Sequence, residues 1–301
     1  MTNPTENTQT PGIDRLLAFT LKDRNAHGRV VRIGPVLDTI LSAHDYEPAI
    51  KNLLAEALTL TALMGGLLKS EGSQLTMQAQ TEDGIVELLV CDYRDGELRG
   101  YVKHDREQAA DLGANPSLPG LFGKGSLAIT FEVASSGLRY QGIVPLEGRS
   151  LSEAVEAYFA QSEQVPTLIR VAVRTGPGGS TAGGLLLQHL AQGEEGRERL
   201  HVVPSHQEWE HVSILGQSIQ NDELLDTSLS PEGLVWRLFH EEPEVRVQPT
   251  TALTRGCRCS VVHFEEVLSR FPKEDRRDMR DENGIILVDC AFCSREFPIQ
   301  D

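Results

Sequence analysis

Cysteine is scarce in this chain, with five residues in 301, and four of them fall in the last fifth. Tryptophan is scarcer, with two, and aromatic residues together make up only 5%. No apolar run approaches the roughly eighteen residues that a membrane-spanning helix needs, so no membrane partner is expected. Basic residues are outnumbered: 28 Lys and Arg against 44 Asp and Glu leave a formal net charge of −16, which opposes a broad phosphate-binding face. The deficit is −7 over residues 1–200, −7 over 201–250 and −2 over 251–301. With no basic segment, no nucleic-acid partner is expected. The opening "MTNPTENTQTP" has neither a basic cluster nor an apolar stretch, so it reads as a disordered tail, residues 1–11, and not as a secretory leader. The expected compartment is the cytoplasm, where thiols stay reduced.

What remains is ordinary for a globular protein: 40% hydrophobic and 24% charged residues, in a length that suits one large or two modest domains. The segment "YEPAIKNLLAEALTLTALMGGLLKS" carries apolar residues at helical spacing, with Asp45 as the expected N-cap. It has no charge from Ala57 to Leu68, so the helix should be buried on most sides. Gly65 and Gly66 should let another backbone approach closely or mark the beginning of the helix end. Short β-type runs follow, "LTMQAQ", "IVELLVC" and "LRGYVK", joined by "TEDG" and "YRDG" turns. "LAITFEV" and "LRYQGIV" form another hairpin, "SLSEAVEAYFAQSE" a helix with Ser150 and Glu153 in capping-box spacing, and "PTLIRVAVRT" and "GGLLLQHL" two more strands. Hairpins interrupted by helices favour an α+β fold over a doubly wound one. "TGPGGSTAGG" between the last two strands lacks the Lys-Ser/Thr of a phosphate loop, with Gly184 and Leu185 in its place, and reads as a hairpin turn.

A polar stretch, "AQGEEGRER", reads as a hinge. Beyond it, Trp209, Val212, Leu215 and Ile219 recur at helical intervals. A second helix should start with Ser230 as N-cap and Pro231 at the first position, and bury Leu234, Val235, Leu238 and Phe239. The division expected is an N-terminal mixed α/β-sheet domain over 12–195, a helical linker over 196–250 and a small C-terminal zinc-binding domain over 251–301.

The four late cysteines form two close pairs, Cys257-x-Cys259 and Cys290-x-x-Cys293. Two short loops that each offer two thiolates can close a tetrahedral zinc site. About fifty residues make too small a core to stand without a metal or another staple. Cys91, at the end of an apolar strand, reads as a small core residue. His240 and His263 are left out, because four thiolates already complete the set. A closed four-cysteine site has no open position for hydrolysis, so no catalytic residues are assigned and the chain is not expected to be an enzyme. Its chemistry would be redox chemistry: bound sulfur is held as thiolate, the form that oxidants attack.

With these residues in place, the chain resembles the 33-kDa heat-shock protein family, the bacterial redox-regulated holdase chaperones. The likeness runs over nearly the whole length, through "LLAEALTLTALMGGLLKSEG", "LTMQAQTEDG", "LRGYV", "LFGKGSLAIT", "YQGIVPLEGRSLSEAVEAYFAQSEQVPT", "LFHEE" and "CRCS…CAFC". It implies one Zn²⁺ per chain in the reduced state, held by Cys257, Cys259, Cys290 and Cys293. Oxidants such as hypochlorite would form the disulfides Cys257–Cys259 and Cys290–Cys293, expel zinc and unfold the C-terminal domain with a metastable linker. The opened surface would bind unfolding client proteins without ATP as a stress response, then pass them to ATP-dependent foldases on reduction. The resemblance also implies a homodimer on activation. Trp209, Leu215, Leu234, Leu238 and Phe239 become candidates for the linker latch and client surface. Two other readings compete: a zinc-ribbon adaptor for nucleic acid or ribosomes, which lacks a basic face here, and a thiol oxidoreductase using "CAFC". The latter motif usually sits near the start of a thioredoxin-like domain.

Overall fold

A helix whose second half carries no charge has to be surrounded there, and the fold is arranged around that helix. The computed structural model describes residues 12–113, 116–190 and 207–300; the expected tail and the hinge "AQGEEGRER" lie outside the described residues. The chain opens with strands β1 (Arg15–Leu21) and β2 (Ala26–Ile33), then helices α1 (Pro35–Leu41) and α2 (Pro48–Gly65). Next come β3 (Gln74–Thr81), β4 (Val86–Arg94), β5 (Glu97–His104), α3 (Arg106–Ala110) and α4 (Leu118–Phe122). The hairpin of β6 (Gly125–Val133) and β7 (Leu138–Pro145), helix α5 (Leu151–Tyr158), and the hairpin of β8 (Thr167–Arg174) and β9 (Thr181–His189) follow. Helices α6 (Gln207–Gln217), α7 (Asn221–Leu225) and α8 (Pro231–Phe239) lead to three very short strands, β10 (Val245–Val247), β11 (Thr251–Ala252) and β12 (Thr254–Arg255). Last are α9 (Val261–Leu268), α10 (Lys273–Asp278), β13 (Ile285–Asp289) and β14 (Glu296–Gln300). This is the expected α+β fold, with the mixed sheets preceding the helical stretch and the small cysteine-bearing end.

Two six-stranded sheets enclose α2. The first runs β10-β1-β2-β9-β8, with β11 also on β1; the second runs β12-β5-β4-β3-β6-β7. Both are antiparallel except where β12 lies parallel to β5. Leu54, Leu58, Leu60 and Leu63 of α2 are all fully covered. The helix starts later than Asp45 suggests: Pro48 takes the first turn and Glu47 is the N-cap, without a side-chain cap bond, because the fixed φ of proline already suits that position. It ends at Gly65, where an added Cβ would sit 2.2 Å from Tyr93 Cγ. The close neighbour is thus a ring, not a backbone. The "YRDG" turn has Asp95 and Gly96 at φ 50° and 85°, the left-handed pair that a two-residue hairpin requires. Ser150 caps α5 by accepting from the Glu153 N–H at 3.3 Å, but the Glu153 carboxylate turns to the N–H of Arg149 at 2.8 Å, which leaves half of the expected capping box. The glycine-rich loop is the turn between β8 and β9.

The first sheet is covered on both faces. In β1, Leu16 joins the core around α2, whereas Leu17, Phe19 and Leu21 belong to a second apolar cluster with α6–α8. The unbroken run Leu185–Leu187 in β9 follows from this, since a strand buried on both sides has no polar face to alternate with. Val212, Leu234, Val235 and Phe239 fill the second cluster together with Trp209 and Leu224, and the rings of Phe19 and Phe239 stand 5.6 Å apart. Leu215 and Leu238 pack against it partly buried. Ser230 caps α8 by accepting from the Gly233 N–H at 3.0 Å, with Pro231 at the helix start, as the sequence predicts.

Candidate metal centre

The four late cysteines converge from opposite ends of the C-terminal segment. Cys257 and Cys259 lie in the turn between β12 and α9, and Cys290 and Cys293 in the knuckle between β13 and β14. The knuckle is closed by main chain: the Cys293 N–H donates to the Cys290 carbonyl at 3.1 Å, the Ser294 N–H to the same carbonyl at 2.8 Å, and the Cys290 N–H to that of Arg295 at 3.0 Å. Ser294 takes a left-handed φ of 52° to turn the corner. Around the sulfurs pack Leu268, Ile286, Phe297 and Ile299, with Phe264 and Phe292 partly buried. These few residues are the apolar core of the segment.

All four sulfurs lie within 4.8 Å of one another. Cys257 and Cys259 are 3.1 Å apart, Cys259 and Cys293 3.5 Å, and Cys257 and Cys290 3.6 Å. A tetrahedral zinc site with bonds of about 2.3 Å has sulfur–sulfur edges of about 3.8 Å. The donor set therefore suits one tetrahedral thiophilic ion. Electrostatics point the same way. Burial and three thiol neighbours push Cys259 up, and burial with its neighbours pushes Cys290 up. Burial works against Cys293 too, but the Arg295 N–H and the adjacent thiols bring it down to about 7. Four thiolates this close repel, and a dication removes the conflict.

Arg255, Arg258 and Arg295 stand beside the cysteine pairs in the chain. Arg258 reaches across to the Gln74 side chain on β3, and Arg295 acts on Cys293 through its backbone N–H. Cys91 is fully buried in the core beneath α2, where burial raises its thiol well above the ordinary range. His240 and His263 are not in the cluster.

The knuckle also rests on the second sheet, a feature the sequence does not announce. Phe292 lies under the Arg99 guanidinium, with Cζ 4.1 Å from the ring centroid, and meets Tyr101 edge-on at 5.0 Å. Arg99 is fixed from below by Asp92, Nε to Oδ2 at 2.7 Å, and Asp92 in turn accepts from Thr76 at 2.7 Å. His44 contacts the Ala291 carbonyl and the Ser294 hydroxyl, each at 2.9 Å. On the other side of the cysteines, β12 continues into β10 and β11, a strap that joins the edges of both sheets.

Between α8 and the strap, Glu242 forms a clamp. Its side chain is 4% exposed and accepts from Arg24 at 2.7 Å, with His211 Nε2 2.7 Å from the other oxygen. Burial opposes its charge, but Arg24 and His211 hold the carboxyl below its ordinary value. A depressed carboxylate stabilises the folded form above its unfolded pKa, and that contribution is lost as pH falls through the folded value. The end of α8 is thus expected to loosen as pH falls below the ordinary carboxylate range. Glu242→Gln should bring about 1 kcal/mol of the same loosening at neutral pH. Amide exchange at residues 239–245 against pH is the check; identical profiles for both proteins would exclude the clamp.

The molecule is thus an α+β protein with a helical stretch laid over one sheet and a four-cysteine module seated on the other. The Hsp33 protein family model matches residues 14–300. A 33 kDa chaperonin from Caulobacter vibrioides is 40% identical over 294 residues, covering 95% of this chain and 94% of that one. One from Shigella boydii is 34% identical over 290 residues, covering 95% and 92%. Among solved structures, the 33 kDa chaperonin of Thermotoga maritima superposes with a TM-score of 0.78 at 21% identity, over 95% of both chains. The chain belongs to the Hsp33 family, and a chaperone role comes with that membership. No helix among the described residues is long and apolar enough to cross a membrane.

Proposed function

We propose that the chain is an ATP-independent holdase whose client surface is shut while its cysteines are reduced and opens when they are oxidised. The observation that carries this reading is the seating of the cysteine knuckle on Arg99, Tyr101 and His44, with strap and linker running on from it over the apolar face of the first sheet. Cys257, Cys259, Cys290 and Cys293 are the ligands, for one Zn²⁺ per chain. When bound, the ion neutralises the thiolates and ties the turn at 257–259 to the knuckle at 290–293, which supplies the fold that the small apolar core cannot.

In each close pair, two thiolates lose two electrons and form one S–S bond; hypochlorite takes up both electrons with two protons from solvent and leaves as chloride and water. The pairs are Cys257–Cys259 and Cys290–Cys293. The 3.1 Å separation of the first two sulfurs supports the first pairing, and the second is the pairing that the family resemblance implies. Each disulfide withdraws two donors, so the module loses its metal and then its fold. The knuckle leaves Arg99 and Tyr101, and α6–α8 come away from β1, β2 and β9. Trp209, Leu215, Leu234, Leu238 and Phe239, with the strand face they cover, are then open to apolar segments of unfolding proteins. Reduction closes the surface and releases clients to ATP-dependent foldases. The same reading places the chain in the cytoplasm, allows dimerisation through the opened surface, and divides it into a core over 12–195, a linker over 196–250 and a switch over 251–301.

Two measurements test this. Peptide mapping after hypochlorite is expected to find the two within-pair disulfides; cross-linked 257–290 and 259–293 peptides would contradict the assignment. Separately, Leu234→Asp or Phe239→Asp puts a charge among buried apolar side chains, a change costing a few kcal/mol. Either variant should suppress client aggregation while still reduced. If both stay inactive until oxidised, docking of α8 is not what closes the surface.

A further inference from the structure

The strap, residues 245–255, is attached in a different way from the helices before it. Helices α6–α8 bind through apolar side chains, but Arg246, Val247, Gln248, Thr251, Ala252 and Thr254 of the strap face solvent. Main chain does most of the holding, with Val245 partly packed on the second apolar cluster and the Thr250 hydroxyl accepting from Arg15 at 3.0 Å. Val245–Val247 pair with Leu21–Phe19, and Thr251–Ala252 with Leu16–Arg15, the register moving by one residue across Pro249 and Thr250. The Gln248 N–H donates to the Ala18 carbonyl and that of Leu253 to the Asp14 carbonyl, both at 2.8 Å. On the second sheet, the N–H groups of Thr254 and Gly256 donate to the carbonyls of Gly96 and Leu98 at 2.9 and 2.8 Å. Leu253 is the one strap side chain that enters the core around α2.

Beneath the strap, β1 and β5 are therefore edge strands whose outward N–H and C=O groups are occupied by the protein's own chain. We propose that these two edges are a second client-binding element: once the strap lifts, β1 and β5 take up extended segments of unfolding polypeptide by strand addition. This rests on the holdase reading above and adds backbone recognition to its apolar surface. The strap shows what the edges accept. It is an extended chain with mostly solvent-facing side chains, joined by hydrogen bonds that any non-proline residue can supply. Such an edge is indifferent to sequence, which suits a binder of many unfolded chains. One apolar residue of the client would take the place of Leu253.

The test follows amide exchange in the full-length protein, reduced, oxidised with hypochlorite, and oxidised with reduced, carboxamidomethylated lysozyme as an unfolded client. Because N–H and C=O of one strand residue point the same way, the amides to follow are those of Leu16, Ala18 and Thr20 on β1 and of Leu98 on β5. Oxidation is expected to speed their exchange by about tenfold or more, and bound lysozyme to slow it again. The peptide EVRVQPTTALTRG, residues 244–256, should displace lysozyme, and the same peptide methylated at the backbone nitrogens of Gln248, Leu253 and Thr254 should not. If lysozyme binds but these amides stay open, or stay protected throughout, or if both peptides compete equally, the edges are not a binding element and the apolar surface acts alone. If the oxidised protein binds no lysozyme, the holdase reading and this inference fail together.

Discussion

Arg32→Met is expected to give a protein that suppresses aggregation while still reduced and still carrying its zinc. Arg32 is 1% exposed and lies on the face of β2 that meets the linker. Its guanidinium donates to the carbonyls of Leu224 at 3.0 Å, Glu223 at 3.1 Å and Leu229. These are the last residues of α7 and the turn before α8, where a helix end leaves carbonyls without internal donors. One side chain thus satisfies three of them, and burial lowers its own pKa. Methionine keeps the apolar stem but donates nothing. A buried carbonyl without a donor costs about 1–3 kcal/mol, and three such carbonyls find water only if α7 and the start of α8 lift from the sheet. Each 1.4 kcal/mol lost raises the open population about tenfold. Zinc content and the core should remain those of the parent, because Arg32 touches neither α2 nor the cysteines. A variant that stays silent until oxidised would mean that the α7–α8 contact does not hold the reduced state closed.

The second large effect concerns the module itself. Cys290→Ser removes one of four donors and places a hydroxyl among Ile286, Phe297 and Ile299. Structural zinc contributes about 10–16 kcal/mol to modules of this kind, and that binding energy is their folding energy. The expected result is loss of stoichiometric zinc and fast amide exchange throughout residues 256–300, without any oxidant. The strap and α6–α8 should then open partly, and some holdase activity should appear in reducing buffer. Chelation of the parent protein should give the same exchange pattern. If Cys290→Ser keeps parental exchange over 256–300, the module folds on its apolar contacts alone and the metal is not its staple.

Much of this was legible in the sequence, and the illegible parts share a cause. Spacing alone located α2, the hairpins from β3 to β9 and the apolar faces of α6 and α8, because these follow from local periodicity. The paired cysteines declared themselves through their scarcity elsewhere. Arg32 did not. In "RVVRI" it alternates with Val31 and Ile33, as a solvent-facing residue would, and only the linker helices bury it. The strap was hidden because its strands are two or three residues long, interrupted by Pro249 and exposed on their side chains, so no apolar pattern marks them. Phe292 read as one residue of a knuckle; its place beneath Arg99 depends on a pairing of segments almost two hundred residues apart. Asp45 failed as a cap for a local reason, the presence of Pro48.

The most direct measurement follows zinc release and client aggregation together, on purified reduced protein titrated with hypochlorite. The account predicts that about one zinc per chain is freed and that aggregation is suppressed only as it leaves, with both changes reversed by a thiol reductant and fresh zinc. Release of zinc with no gain in holdase activity would make the cysteine centre purely structural and contradict the switch.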